Sequence, residues 1–328
     1  MSTDPRPEWN LRRFSGRPTA ATISALGQLA AAAEEADGNP PFNDQTWSAL
    51  RSGDDAAAIS GHLALLSAGP EHDDDEIIGA AIITRGPGQP AVLELVVRPE
   101  DRGHGVGGEL AAAVADASEA EAEELTAWSH GDSGAAASLA ARHGYAPARQ
   151  LWRMRAKSAE WAQPSLPDGV RLRSFVPGTD EEAWLALNAA AFSHHPEQGA
   201  LTLADLRERE RSPWFDPAGF LLAEDADGSL LGFHWTKVHP ASTDARGTQH
   251  PAVGEVYVVG ISPDAQGRGL GRALTLAGLR HLADAGLGSV MLYVDADNEA
   301  AVRLYRSLGF ERWDGDVMYA KPRPDVEP

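Results

Sequence analysis

Two glycine-rich turns, each directly ahead of an alanine- and leucine-rich segment, contain residues suited to binding an anion. The first is "EDRGHGVGGELA" at residues 100–111, and the second is "DAQGRGLGRALT" at residues 264–275. Glycine lets the backbone adopt positive φ and approach a ligand closely, and the free amides at a helix start attract phosphate oxygens. We therefore predict two phosphate-binding turns, with Arg268 and Arg272 adding charged contacts in the second.

The two turns belong to a longer internal repeat. Aligned on their glycines they lie 164 residues apart, so that Gly269 corresponds to Gly105. Each turn follows an apolar strand and precedes a helix, a short strand and a second helix, which ends at a Gly-aromatic pair (residues 144–145 and 309–310). Neither turn has the spacing of a nucleotide-triphosphatase loop or of a dinucleotide-binding turn. The sequence therefore predicts two copies of one α/β domain.

The positions of the two copies predict the domain boundaries. A length of 328 residues suits two domains of about 150 residues each. A segment rich in proline and other helix breakers, "AKSAEWAQPSLPDGV", separates the copies. We expect one domain at residues 1–157, a linker at 158–168, and a second domain at 169–328.

Composition restricts the classes of partner. The chain has 48 Asp and Glu against 28 Lys and Arg, and this formal charge of −20 disfavours nucleic acid. The absence of cysteine excludes disulfides and a cysteine nucleophile. No signal peptide and no apolar run of about 18 residues are present, so the sequence predicts a cytoplasmic protein without a membrane partner, which we expect to be a monomer.

These motifs resemble the GNAT superfamily of acyl-CoA-dependent N-acyltransferases, whose signature is Q/R-x-x-G-x-G/A after the fourth strand. The stretch "NEAAVRLYRSLGF" at residues 298–310 is also typical of that superfamily. The resemblance covers nearly the whole chain and implies a mixed α/β sheet in each copy. The central strands of such a sheet splay apart to admit the pantetheine arm of acetyl-CoA.

The resemblance places acetyl-CoA contacts at the end of one strand and at the glycine turn in both copies, and at the start of the second helix in the second copy. In the second copy these residues are Val259, Gly260, Ile261, Gln266, Gly267, Arg268, Gly269, Leu270, Gly271, Arg272, Asn298, Glu299, Ala300, Ala301, Val302 and Arg303. In the first copy they are Leu95, Val96, Val97, Arg102, Gly103, His104, Gly105, Val106 and Gly107.

Within the superfamily, the chain resembles the mycothiol synthase family. The segments that carry this resemblance are "LNAAAFSHHPEQGA", "LGFHWTKVHP", "GEVYVVGI" and "MLYV". It implies transfer of acetyl from acetyl-CoA to the cysteine amine of Cys-GlcN-Ins, a cysteinyl glucosaminyl inositol. It also implies acceptor contacts at Glu197, Lys237, Tyr293 and Glu255, and at Asp44 in the first copy, where the family commonly has Glu.

The chemistry of this reaction assigns catalysis to the second copy. A free α-amine has a pKa of roughly 8 and must lose a proton to attack a thioester, which calls for a general base. We predict that Glu255 is this base and that Tyr305 is the proton donor for the departing thiolate. In the first copy, the residues that align with Glu255, Asn298 and Tyr305 are Ala91, Ser133 and Ala140. We therefore expect the first copy to bind acetyl-CoA without using it.

Two other functions are compatible with the sequence. One is an N-acetyltransferase that acts on a protein N-terminus or on another small-molecule amine. The other is an acyl-CoA-binding sensor without catalysis, which the intact set of Glu255, Asn298 and Tyr305 disfavours. A metal site is not expected, because the spacing of His194, His195 and His239 matches no standard ligand set.

Overall fold

A computed structural model describes residues 9–52, 59–66, 76–86, 90–121, 124–131, 133–193, 196–243 and 249–322. They form two compact units. Unit 1 consists of Met1–Leu151 and Asp314–Pro328, and unit 2 consists of Trp152–Trp313. Each unit is a mixed α/β fold, as the sequence predicts.

The elements of unit 1 alternate between strands and helices. In chain order they are β1 (Trp9–Ser15), α1 (Ala20–Asp37), α2 (Asp44–Ser52), β2 (Ile59–Leu66), β3 (Glu76–Thr84), β4 (Ala91–Val97), α3 (Val106–Glu121), β5 (Leu125–Ser129) and α4 (Gly134–Arg142). The first four strands pair in antiparallel order, and β5 lies parallel to β4.

Helices cover both faces of this sheet. In β3, "EIIGAAIIT", Ile77 and Ile82 pack with α1 and α2, whereas Ile78 and Ile83 pack with α3. A strand that is buried on both faces is apolar almost throughout instead of alternating with polar residues. The α1 and α2 side of the sheet is called the acceptor face below.

Unit 2 repeats the same order. Its elements are β7 (Arg171–Ser174), α5 (Glu181–Ala191), α6 (Pro196–Gly199), α7 (Leu203–Glu210), β8 (Phe220–Glu224), β9 (Leu230–His239), β10 (Ser242–Thr243), β11 (Gln249–His250), β12 (Val253–Ile261), α8 (Leu270–Asp284), β13 (Ser289–Asp295) and α9 (Glu299–Ser307). An aromatic cluster of Trp184, Phe220, Phe233 and Trp235 fills its acceptor face, which α5 and α7 cover.

The sixth strand of each sheet comes from the other half of the chain. Strand β6 (Ala146–Lys157) follows α4, enters unit 2 at Trp152 and lies beside β13. Strand β14 (Glu311–Ala320) follows α9, enters unit 1 at Asp314 and pairs antiparallel with β5. The units therefore differ from the predicted division at residues 157 and 169, because the hydrogen bonds of β14 join the chain end to unit 1.

The predicted linker is a packed part of unit 2. Residues 158–168 contain no helix or strand. The indole nitrogen of Trp161 donates to the carbonyl of Leu308 at 3.3 Å, and Arg280 donates to the carbonyl of Trp161 at 2.9 Å. The backbone nitrogen of Ser158 donates to the carbonyl of Gly288.

Candidate active site

The two glycine turns have the same backbone shape. Each follows a 3₁₀ turn and begins a long helix, α3 or α8. Gly103 and Gly105 have φ of +79° and +106°, and Gly267 and Gly269 have φ of +76° and +80°. A Cβ added at any of the four would meet no protein atom within 4 Å. The turns therefore leave open space beside the helix-start amides, where a pyrophosphate fits.

The predicted arginines are partly engaged within the protein. Arg102 donates two hydrogen bonds to Asp37, at 2.6 and 2.8 Å, and one to the carbonyl of Val97. Arg272 donates to the hydroxyl of Ser307 at 2.8 Å, so it joins α8 to α9. Arg268 is exposed at the turn of unit 2. The backbone amides at the helix starts are therefore the hydrogen-bond donors that both turns can offer to an anion.

A cavity of about 930 Å³ lies in unit 1 between β4, the glycine turn, α3, β5 and α4. Eight of the nine acetyl-CoA contacts predicted for the first copy line it; His104 is exposed and does not. Those eight are Leu95, Val96, Val97, Arg102, Gly103, Gly105, Val106 and Gly107. A volume of this size fits a cofactor-sized ligand.

In unit 2, Glu255 is a buried carboxylate on the acceptor face of β12. Its neighbour Val256 packs with α8, and strand alternation turns Glu255 to the opposite face. The residue is 5% exposed. The Nε2 atom of His239 lies 2.6 Å from Oε2 of Glu255, and Lys237 is its cross-strand partner on β9.

The alignment of Glu255 with Ala91 is wrong by one residue. Strand β12 contains a one-residue bulge, whereas β4 pairs with β3 without one. The parallel neighbours fix the correspondence, because Glu255 pairs with Met291 as Val92 pairs with Thr126. The counterpart of Glu255 is therefore Val92, which also lacks a carboxylate. Bulges commonly re-aim side chains beside active sites.

Three side chains around Lys237 escaped the sequence analysis. The Nζ atom of Lys237 lies 5.0 Å from the ring centre of Trp214 and 5.3 Å from that of Tyr257. Arg209 donates to the hydroxyl of Tyr257 at 3.2 Å. Tyr257 occupies the bulge of β12, and a bulge of this kind has no sequence signal in "GEVYVVGI".

The structure places two of the other three predicted acceptor residues. Tyr293 is 41% exposed on β13, and Asp44 is exposed at the first residue of α2 in unit 1. Glu197 belongs to α6, but its side chain lies outside the described part of the chain, as do His194 and His195.

Tyr305 is buried in the core of unit 2. It is 8% exposed and packs edge-on against Phe310, with ring centres 5.8 Å apart. Burial raises the pKa of Tyr305 to about 12, because desolvation disfavours the phenolate. The phenol therefore keeps its proton at neutral pH.

Asn298 has a structural role that the sequence analysis did not assign. Its Oδ1 accepts a hydrogen bond from the Ala301 nitrogen at 3.1 Å and caps α9. Ser133 caps α4 in the same way, accepting from Ala136 at 3.3 Å. Asn and Ser are both preferred caps, so this difference between the copies does not mark catalysis.

Of the other cofactor contacts predicted for unit 2, some pack in the core and others lie on the surface. A Cβ at Gly260 would lie 2.5 Å from the ring of Phe233, so glycine is needed there for packing. Val302 belongs to the core, whereas Glu299 and Arg303 form an exposed ion pair at 2.8 Å.

Unit 1 contains a buried cluster that the comparison of the copies missed. Glu94, 1% exposed on the acceptor face of β4, accepts hydrogen bonds from the Asn43 nitrogen at 3.2 and 3.3 Å. The Nε2 atom of His130 lies 2.5 Å from Glu94, and its Nδ1 lies 3.5 Å from Asp316 on β14. A charge inside the apolar run "VLELVV" was the available signal, because a buried carboxylate needs partners.

The two carboxylates control the ionisation of His130. Burial acts to lower its pKa, but hydrogen bonds and charges from Asp316 and Glu94 outweigh burial and raise the pKa to about 9. His130 therefore stays protonated at neutral pH, clamped between two acids. The described residues include no group of three or more His, Cys, Asp or Glu arranged to hold a metal ion.

Comparison with known proteins identifies relatives of the whole chain. Residues 182–310 match the Acetyltransferase (GNAT) family, and residues 71–147 match the Acetyltransferase (GNAT) domain. A protein named mycothiol acetyltransferase from Paenarthrobacter aurescens is 53% identical, covering 95% of this chain and 96% of its own. One of the same name from Thermobispora bispora is 55% identical, covering 94% of this chain and 99% of its own.

A solved structure has the same fold over its full length. It is a GCN5-related N-acetyltransferase from Sphaerobacter thermophilus, with 26% sequence identity and a TM-score of 0.67, and the match covers 96% of this chain and 98% of that one. In the described part of the chain, no helix has the length and apolarity to cross a membrane.

Proposed function

Because the chain belongs to the mycothiol acetyltransferases of the GNAT superfamily, we propose that it transfers acetyl from acetyl-CoA to the cysteine α-amine of Cys-GlcN-Ins. The chain is an acetyl-CoA-dependent N-acetyltransferase with two GNAT domains. The observation that carries the proposed site is the buried Glu255 beside Lys237 on the acceptor face of unit 2. The name shared by the full-length relatives supports the acceptor.

Acetyl-CoA, when bound, supplies the acetyl group as a thioester. The open glycine turn of unit 2 supports pyrophosphate binding there, and the backbone amides at residues 259–261 are suited to polarising the carbonyl. Glu255 accepts a proton from the acceptor amine, directly or through a water, as the C–N bond forms.

Tyr305 acts on the leaving group. A phenol with a pKa of about 12 is a weaker acid than a thiol, whose usual pKa is about 8.5. Hydrogen-bond donation to the developing thiolate, rather than complete proton transfer, is the step that this environment favours. Such a donor stabilises charge that appears only in the transition state.

The hydroxyls of the acceptor need polar partners when they are buried. Lys237 is held by the rings of Trp214 and Tyr257 within the same face as Glu255, which supports a contact with the sugar–inositol part. Tyr293, Glu197 and Asp44 are further acceptor contacts in this proposal.

Unit 1 binds acetyl-CoA without turnover in this account. Its cavity and open glycine turn support binding. The carboxylate of Glu94 already accepts hydrogen bonds from Asn43 and from a charged His130, so these partners occupy the position that an amine would need. The protein works as a monomer in the cytoplasm, where acetyl-CoA is made, without nucleic acid.

An acceptor panel tests the proposed function. The purified chain is incubated with acetyl-CoA and Cys-GlcN-Ins, GlcN-Ins without the cysteine, or a peptide with a free N-terminus, and free CoA is measured. We expect turnover with Cys-GlcN-Ins and at least about 100-fold less with the other two. Equal turnover of the peptide would replace Cys-GlcN-Ins by a protein N-terminus as the proposed acceptor. No turnover with any of the three amines would support an acyl-CoA-binding sensor without catalysis.

A further inference from the structure

Glu255 has a side-chain partner for which the catalytic scheme provides no role. His239 is the last residue of β9, and its Nε2 atom lies 2.6 Å from Oε2 of Glu255. His239 is paired with Val253 across the strands, so Glu255 is its diagonal neighbour on the same face. The contact therefore involves the Oε2 atom of Glu255, and the Oε1 atom takes no part in it.

The chemistry of the pair fixes which group donates. An ionised carboxylate only accepts hydrogen bonds, so Nε2 of His239 must carry the hydrogen that lies between them. This hydrogen bond holds Oε2 and orients Oε1 as the atom that receives a proton. A base positioned in this way is ready for the amine without further rearrangement.

The two side chains differ in their access to solvent. The side chain of Glu255 is 7% exposed, whereas that of His239 is 40% exposed. His239 is therefore the solvent-facing partner of a glutamate that itself stays buried.

From this geometry we propose that His239 is a positioning residue for Glu255: it orients the carboxylate through Nε2–H. This role rests on the proposed function of Glu255. It involves no transfer of the amine's proton to His239. The proton forms an O–H bond at Oε1 of Glu255 as the N–H bond breaks, and it leaves to solvent after the product does.

The neighbouring polar groups make other contacts. Lys237 lies opposite Glu255 on β9 and against the rings of Trp214 and Tyr257, and Arg209 of α7 donates to Tyr257. Among the described residues, the side-chain hydrogen bond to Glu255 comes from His239.

Two substitutions of His239 separate the hydrogen bond from the imidazole ring that makes it. In His239→Ala the hydrogen bond is lost, and we expect kcat to fall about tenfold to a hundredfold, the usual worth of a hydrogen bond to a charged group. In His239→Gln an amide can donate in place of Nε2, so kcat should recover to within about threefold of wild type at pH 8. KM for both substrates should change by less than about threefold in both variants.

Rescue of kcat by an amide, with KM unchanged, is a result that a purely structural role would not produce. The matched control is His281→Gln, because His281 forms another His–carboxylate pair in unit 2, with Asp216 at 3.2 Å. Its kcat should equal that of the wild type.

The outcomes distinguish the two proposals. If the wild type does not acetylate Cys-GlcN-Ins, the proposed function fails before His239 is tested. If the wild type is active and His239→Ala retains full kcat, the positioning role alone is overturned. Equal loss of kcat in His239→Ala and His239→Gln would also overturn it.

Discussion

Units 1 and 2 each place a buried glutamate beside a histidine on the acceptor face of the strand that leads into the glycine turn. In unit 1, Glu94 accepts hydrogen bonds from the backbone nitrogen of Asn43 and from His130. The other ring nitrogen of His130 lies 3.5 Å from a second acid, Asp316. In unit 2, Glu255 lies two residues before the bulge residue Tyr257, and the side chain of His239 is 40% exposed. The same pair of residue types therefore belongs to a cluster with a second acid in one unit, and forms a pair with a partly exposed histidine in the other.

The difference shows that the shape of the glycine turn and the surroundings of the glutamate vary independently between the two units. The glycine turns have matching φ angles and open space in both units. What differs is the surroundings of one carboxylate. Matched substitutions in the two units test that contrast.

The largest effect is expected at the two glutamates. Glu255→Gln should lower turnover about 100- to 10,000-fold, the usual worth of a general base, because an amide cannot accept the proton. Glu94→Gln should leave turnover within about threefold, since Glu94 takes no part in the reaction. Steady-state kinetics with Cys-GlcN-Ins measure both, and equal losses in two folded variants would abolish the distinction between the units.

Tyr305→Phe should have the next largest effect. Removing a donor to developing charge costs on the order of 100-fold in kcat, whereas the packing against Phe310 should survive. Acetyl-CoA binding should be unchanged by calorimetry. A Phe variant with wild-type kcat would show that the phenol serves only the core of unit 2.

Lys237→Ala should act on acceptor binding. Loss of a charged hydrogen bond costs about 1.5–3 kcal/mol, so KM for Cys-GlcN-Ins should rise about tenfold to a hundredfold. KM for acetyl-CoA should stay within about twofold, because Lys237 lies on β9 and not at the glycine turn. An unchanged acceptor KM would remove Lys237 from the site.

His130 should make unit 1 sensitive to alkaline pH. Its pKa is about 9 in the fold against an ordinary value of 6.5, so the charged form stabilises the native state. That contribution is complete below about pH 6.5 and disappears as pH rises through about 9. Thermal unfolding of His130→Gln should be less dependent on pH over this window than that of the wild type, and an identical dependence would contradict the ionised cluster.

The sequence predicted the elements that follow from local rules. Glycine spacing before a helix predicted two turns with positive φ, and the repeat predicted two domains of one fold, which the structure and the family matches confirm. These features depend on residues close together in the chain. The roles of Glu255 and Tyr305 remain predictions from the sequence and from this geometry.

The features that the sequence missed depend on pairing between distant strands. The bulge of β12 moved the counterpart of Glu255 from Ala91 to Val92. The partner of His130, Asp316, lies 186 residues away on β14. Such contacts have no local signature in the sequence. The repeat also gives no sign that β14, which follows the second copy, pairs with β5 of unit 1.

The central claim is that unit 1 binds acetyl-CoA and unit 2 uses it. Its most direct test is a calorimetric titration of the wild type, Gly105→Val and Gly269→Val with a non-hydrolysable acetyl-CoA analogue, with turnover measured on the same samples. The two variants are matched, because both positions have positive φ and open space and a branched side chain is strained at either. We expect two sites in the wild type. Gly105→Val should lose one site and keep turnover, and Gly269→Val should lose the other site together with turnover. A folded Gly105→Val protein without turnover, or a wild type with a single site that only Gly269→Val removes, would contradict the account.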